Sequence, residues 1–436
     1  MKVASAFSLG NRSSPFQDAA PSEETAVIIR NYLRCLTCDQ VHMLRIAIGD
    51  AKRQPHHFAC RNCGEELEVV LTLGTGSSSE GAFSCSENAE FCDEDAKALT
   101  VNLDPNFVIP KDQANSPLSF PRLEQMRTIV KAMEARGASL DQMARASRER
   151  GPTFPTEWTH LRKAIGLETR GKSKLSRREI ETSGELFYEG ERLDSLDDWL
   201  IRFLRRLVGP DNSEIFEKIS KEVERIVAAK DASGLMEHYF ADLRATRRDA
   251  YFAILTDFFR NYSEFSQVLY RVRLGARAPE DAAAGSTNFE SVKTFYGDAF
   301  ETFAGLVELF TMLNNLDAGR EYDQGERLTL KKYRELDNAS KFNPFAGNAA
   351  FTDLCVEIDN QIRNASHHRG IKLSADRHTV LYRAGKGGTG EEQSMTYVTY
   401  LDRCTGIFMQ IVVLLCVEIM MNYRQGQALF GGESTS

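Results

Sequence analysis

From residue 119 onwards, apolar residues recur every three or four positions for most of the chain, the period of helices that bury one face. The longest such segments are SEIFEKISKEVERIVAAK, HYFADLRATRRDAYFAILTDFFRNYSEFSQVLYRV and VKTFYGDAFETFAGLVELFTMLNNL. Upstream the period is two: HMLRIAI (42–48) and ELEVVLTL (66–73) alternate as half-buried strands do. KALTVNLDPNFVIP (97–110) reads as one more strand with a proline stop. SLDQMARASRER and TEWTHLRKAIGLE flank GPTFP and are expected to be small packed helices rather than a DNA-reading pair. GKGGTG (385–390) lies between the alternating runs HTVLYRA and QSMTYVTY, so it is expected to be a hairpin loop and not a phosphate cradle. The most apolar run, GIFMQIVVLLCVEIMM (406–421), is interrupted by Gln410 and Glu418 and is shorter than a membrane span requires. A buried core helix is expected there, with no membrane partner.

The pattern predicts an α+β protein, mainly α, and 436 residues suffice for two or three domains. A β-rich domain is expected over 25–115, a helical middle region over 116–280, and a second helical domain over 287–425. The helix-breaking stretch GARAPEDAAAGSTN separates the last two. The net charge is −8, so any polyanion must be met by a local basic patch rather than by the molecule as a whole. RGKSKLSRR (170–178), with five basic residues and no acid, is either a solvated linker or a phosphate-contacting patch. The N-terminus, MKVASAFSLGNRSSPF, lacks the charge and apolar run of a signal peptide, which points to the cytoplasm. No G-x-S-x-G nucleophile elbow occurs.

Nine cysteines in such a chain argue for metal binding or buried thiols over disulfides. Cys35 and Cys38 in CLTC, and Cys60 and Cys63 in CRNCG, form two C-x-x-C knuckles with 21 residues between them. That spacing is the sequence form of a tetrahedral four-cysteine zinc site, and Gly64 suits the tight turn after the second knuckle. The region 28–74 resembles a zinc ribbon, a small β-module in which the ion substitutes for a larger core. Four thiolates close the coordination sphere, so a single structural Zn2+ is expected and no catalytic metal. Cys85 and Cys92 are expected to be ordinary thiols, a second metal with His56 or His57 being the weaker alternative.

FTDLCVEIDNQIRNASHHRG places Phe351, Leu354, Cys355, Ile358 and Ile362 on one helical face, with Gly370 as a stop and Arg363 four residues after Asp359. A charged, capped helix end accounts for this much. The run Arg363-Asn364-Ala365-Ser366-His367-His368 also matches the R-N-x-x-x-H form of the motif of HEPN domains, helical bundles that include many metal-independent ribonucleases. The resemblance covers roughly residues 287–425, with a long helix before the motif, a β-hairpin after it and a final apolar helix. It implies an endoribonuclease that activates a ribose 2′-hydroxyl against the adjacent phosphate. His368 would be the general acid/base, Arg363 the phosphate clamp and Asn364 a positioning group; His367, nearer the Arg363 face on an unbroken helix, is the rival. It further implies RNA as partner and a homodimer with a composite active site, since the chain carries one motif. Chains of this build resemble bacterial anti-phage or abortive-infection toxins, held in check until a phage-derived or cellular trigger arrives. The alternatives are a non-catalytic HEPN-like dimerisation or nucleotide-binding protein whose ribbon contacts nucleic acid, and a zinc-ribbon transcription factor using 139–178 on DNA.

Overall fold

In a computed structural model the chain is described over residues 28–49, 51, 53–73, 82–117, 131, 154–285, 287–367, 370–375, 377–383, 385 and 390–430. SLDQMARASRER lies outside these residues. Helix accounts for 53% of the structure and strand for 18%, in small sheets, which makes it α+β and mainly α.

The N-terminal part is built from strands β1 (Ile28–Cys35), β2 (Val41–Ala47), β3 (Arg53–Ala59), β4 (Glu66–Thr72), β5 (Ala82–Glu87), β6 (Ala89–Phe91) and β7 (Leu99–Leu103). They form a four-stranded sheet ordered β6-β1-β2-β7 and a three-stranded antiparallel sheet ordered β3-β4-β5. Only the β2–β7 pairing is parallel in the first sheet. The alternation read at 42–48 and 66–73 places Leu44, Ile46, Leu67, Val69 and Leu71 in one buried cluster with Leu33, Phe58 and two of the knuckle cysteines.

The helices begin with α1 (Phe154–Thr169) and α2 (Ser173–Phe187), which pack as a hairpin. α3 (Leu196–Ala229) follows, kinked at Gly209, where φ is +70° and ψ −178° ahead of Pro210. α4 (Ser233–His238) runs through a π-helical turn (Tyr239–Leu243) into α5 (Arg244–Arg260), and then comes α6 (Tyr262–Arg273). α7 (Phe289–Leu306) and α8 (Glu308–Asp317) precede the short helices α9 (Leu330–Arg334), α10 (Ala349–Asp353) and α11 (Asn360–His367). The final helix, α12 (Tyr397–Arg424), packs against α3, α6 and α7. Among the described residues it alone is long and apolar enough to cross a membrane, and 94% of its most apolar window is buried inside the structure. It is the central core helix.

Helices on both sides of GARAPEDAAAGSTN share one continuous hydrophobic core, from Trp158 to Phe430. The stretch itself is a strap. Within it β9 (Ala282–Ala283) pairs antiparallel with β8 (Ile109–Pro110), fastening the ribbon region to the helices. Its ends are held by buried carboxylates: Asp402 accepts from the Ala278 amide at 2.9 Å, and Glu264 accepts from that of Asn288.

The segment FTDLCVEIDNQIRNASHHRG is not one helix, contrary to its apolar spacing. Asn348 caps α10, residues 354–357 turn, and the Asp359 carboxylate caps a new helix by accepting from the amides of Gln361 and Ile362. The stretch that follows, β10 (Ile371–Leu373), β11 (Thr379–Arg383) and β12 (Glu392–Thr396), is an antiparallel three-stranded sheet, with the GKGGTG stretch joining β11 to β12. YVTY, read as strand, instead opens α12, because Thr396 caps that helix by accepting from the Thr399 amide.

Candidate functional site

The two knuckles are built alike. The amide of Asp39 donates to the Cys35 carbonyl and that of Gly64 to the Cys60 carbonyl, each at 2.9 Å. The amide of Cys35 donates to Gln40 and that of Cys60 to Glu65, at 3.0 and 2.8 Å. Asp39 and Gly64 both hold positive φ, 59° and 78°, so the first knuckle forces an aspartate into the conformation that glycine takes in the second. Neutral, buried His42 on β2 braces the second knuckle by accepting from the Arg61 amide at 3.1 Å.

This repeated geometry gathers the four sulfurs within 4.8 Å of one another. The Cys35–Cys63 and Cys38–Cys60 separations are 3.8 and 3.5 Å. A tetrahedron with Zn–S bonds of about 2.3 Å has sulfur–sulfur edges of about 3.8 Å, so the cluster fits one zinc-sized ion. Hydrogen bonds from Asn62 and from the Gln40 backbone bring the Cys38 thiol down to about 6, while burial pushes Cys60 up; a backbone bond at Glu65 lowers Cys63, but burial and the three neighbouring thiols carry it up to about 12. Among the described residues these four are the one such group of three or more ligating side chains. His56 is buried, which drops its pKa to about 3, and His57 faces Glu66 at 3.6 Å; neither joins Cys85 and Cys92 in a second cluster.

The second candidate lies on α11. Ile362 and Ala365 are buried against the bundle, which leaves Arg363, Asn364 and Ser366 half-buried at its edge. Arg363 does not pair with Asp359. Asp359 is engaged by Arg403 of α12 at 3.3 Å, while the Arg363 guanidinium grips Glu301 of α7 with Nε, at 2.7 Å, and with Nη2. Its Nη1 donates to Asn364 Oδ1 at 3.0 Å. The Asn338 amide donates to the same Glu301 carboxylate. Ser366 Oγ donates to the Ile362 carbonyl at 2.8 Å and lies 3.5 Å from the Tyr400 hydroxyl of α12. The helix ends at His367, and the amide of Gly370 closes it by donating to Ala365 at 2.9 Å. His368 lies outside the described residues.

No family model matches this chain, and it matches neither a curated protein nor a solved structure. Its chemistry is therefore read from its own residues. Arg363 and Asn364 are brought together as their spacing suggests. Glu301 and Asn338 were not foreseen: they stand 62 and 25 residues upstream of Arg363, and no local spacing links them to it. A guanidinium carries five N–H donors. Among the described residues Glu301 and Asn364 take up three of them.

Proposed function

We propose that the chain is a metal-independent endoribonuclease of the HEPN type, with its active residues at the end of α11. The observation that carries the reading is the half-buried Arg363, aimed by Glu301 and Asn364. Such a fixed cation stabilises the charge that develops on phosphate as the neighbouring 2′-hydroxyl attacks, releasing a cyclic phosphate and a 5′-hydroxyl. His368, or its rival His367, takes the proton from the 2′-hydroxyl or returns one to the leaving oxygen, a task suited to imidazole near neutral pH. Asn364 positions the guanidinium. Two copies of the chain face one another in the working enzyme, each giving one motif.

In this reading one structural zinc, held by Cys35, Cys38, Cys60 and Cys63, organises the ribbon, and its four thiolates leave no position for substrate. The protein serves as a cytoplasmic anti-phage toxin whose ribbon and helical middle hold the motif in check until a trigger arrives. Expression in bacteria tests this: the wild-type chain arrests growth and Arg363→Ala does not. The second reading, a non-catalytic binding protein, is favoured by the neutralisation of Arg363 by Glu301 and predicts equal growth with both chains.

A further inference from the structure

RGKSKLSRR forms the turn between α1 and α2 and the first turn and a half of α2. The turn itself is only residues 170–172, with Gly171 at φ +68°. Two neighbouring cations are tied down: Lys163 pairs with Glu179 at 2.6 Å, and Arg177 with Glu181 at 3.2 Å. Five others, Arg162, Arg170, Lys172, Lys174 and Arg178, are exposed, and among the described residues none has an acidic partner. Arg170 folds back along α1 over Gly166, within 3.5 Å of where a Cβ there would sit, one helical turn from Arg162.

Among the described residues no acidic side chain offsets these five cations. Lys172 is the N-cap of α2 and makes no capping side-chain bond, and the first turn carries no acid. Lysines there stand at the positive end of the helix dipole, where acids are favoured, and like charges repel across so short a turn. A chain with a net charge of −8 has acids to spare, yet none stands between residues 169 and 178. Leu175 is 54% exposed among these cations, an apolar side chain that an unstacked base can cover.

We infer that the turn end of the α1–α2 hairpin is a docking surface for the phosphodiester backbone of a single-stranded nucleic acid. This does not rest on Arg363 performing chemistry, because binding here is electrostatic and separate from cleavage. The test measures fluorescence anisotropy of a labelled single-stranded RNA with full-length Arg363→Ala protein, so that the probe stays intact. The comparison is Arg170→Gln/Lys172→Gln/Lys174→Gln in the same background, with Arg192→Gln/Lys221→Gln/Lys331→Gln as a control of equal charge. The expected result is a Kd at least tenfold higher for the patch variant, with the control near the parent. The log–log salt dependence should flatten by about 2, since each single-strand phosphate contact contributes about 0.7. Unlabelled DNA of the same sequence should compete, and a duplex should compete more weakly. Equal affinity and equal salt dependence in parent and patch variant would overturn the inference. So would patch-dependent binding to phosphatidylserine vesicles with none to RNA, which would make the surface a membrane contact.

Discussion

Glu66, three residues past the last knuckle cysteine, pairs at 3.1 Å with Arg377, in the turn between β10 and β11 that follows the candidate motif. Arg377 holds φ +56° and also donates to the Thr287 carbonyl in the strap, at 3.3 Å. Arg377 thus links the ribbon region, through Glu66, to the turn behind the motif and, through Thr287, to the segment that leads into α7. This contact gives the ribbon a physical route to the motif.

Zinc loss should therefore be felt beyond the ribbon. Cys35→Ser and Cys60→Ser are expected to reduce zinc from one per chain to near zero by elemental analysis, while Cys85→Ser/Cys92→Ser retains it. In the zinc-free variants, amide hydrogen exchange over β10 and β11 should accelerate. Unchanged exchange there would contradict the route.

The core helix α12 buries Glu418, which accepts from the Tyr239 hydroxyl at 3.0 Å and the Tyr251 hydroxyl at 2.5 Å and is clamped by Arg247. Arg247→Met strands that carboxylate and is expected to cost about 3–5 kcal/mol in denaturant unfolding. Arg247→Met/Glu418→Leu removes both charges and should recover at least half of the loss.

Burial pushes Asp402 up to about 6 and Glu264 up to about 7, although a backbone amide donates to each. Arg277 and Arg271 pull Asp402 down and Glu357 pushes it up, while Glu68 adds to the rise at Glu264. In each case the folded pKa exceeds the unfolded one, so the folded chain holds more protons in between. Stability from these groups is therefore greatest at acid pH and falls as pH rises, from about 4 to 6 for Asp402 and from about 4.5 to 7 for Glu264. Asp402→Asn should flatten the first of these declines, worth on the order of 3 kcal/mol. Urea unfolding of both proteins at several pH values checks it.

Gly209 sits where only glycine is at ease, and a Cβ there would meet the Arg273 carbonyl oxygen at 2.7 Å. Gly209→Ala is expected to destabilise by about 2–4 kcal/mol, whereas an exposed helical glycine-to-alanine change stabilises by about 0.4–1 kcal/mol. Thermal unfolding of the variant beside Gly305→Ala, where a Cβ meets open space, gives the comparison.

The four-cysteine cluster was legible because its chemistry is local: two repeated knuckles gather four sulfurs whatever the rest of the chain does. β2 and β4 were legible because each writes one clean period, and the body of α12 because its run is apolar almost throughout, although its first turn, YVTY, alternates like a strand. Asp39 shows where local reading stops, since nothing about an aspartate announces a positive φ. The break between α10 and α11 was hidden because Asp359, readable as an ion-pair partner for Arg363, caps a helix instead. Glu301 was invisible for a different reason: its link to Arg363 exists only once α7 lies beside α11. The pairing of Ala282 and Ala283 with Ile109 and Pro110 was invisible because two alanines carry no strand signal.

If α11 ends in a nuclease motif, purified protein should cleave RNA without metal. Wild type and Arg363→Ala/His368→Ala, both zinc-loaded and folded, are incubated with transfer RNA and single-stranded RNA in excess EDTA. Cleavage by the wild type alone, at least a hundredfold faster than the variant and leaving cyclic-phosphate ends, is the predicted result. Equal cleavage by both, or none by a wild type that also fails to arrest growth, would contradict it.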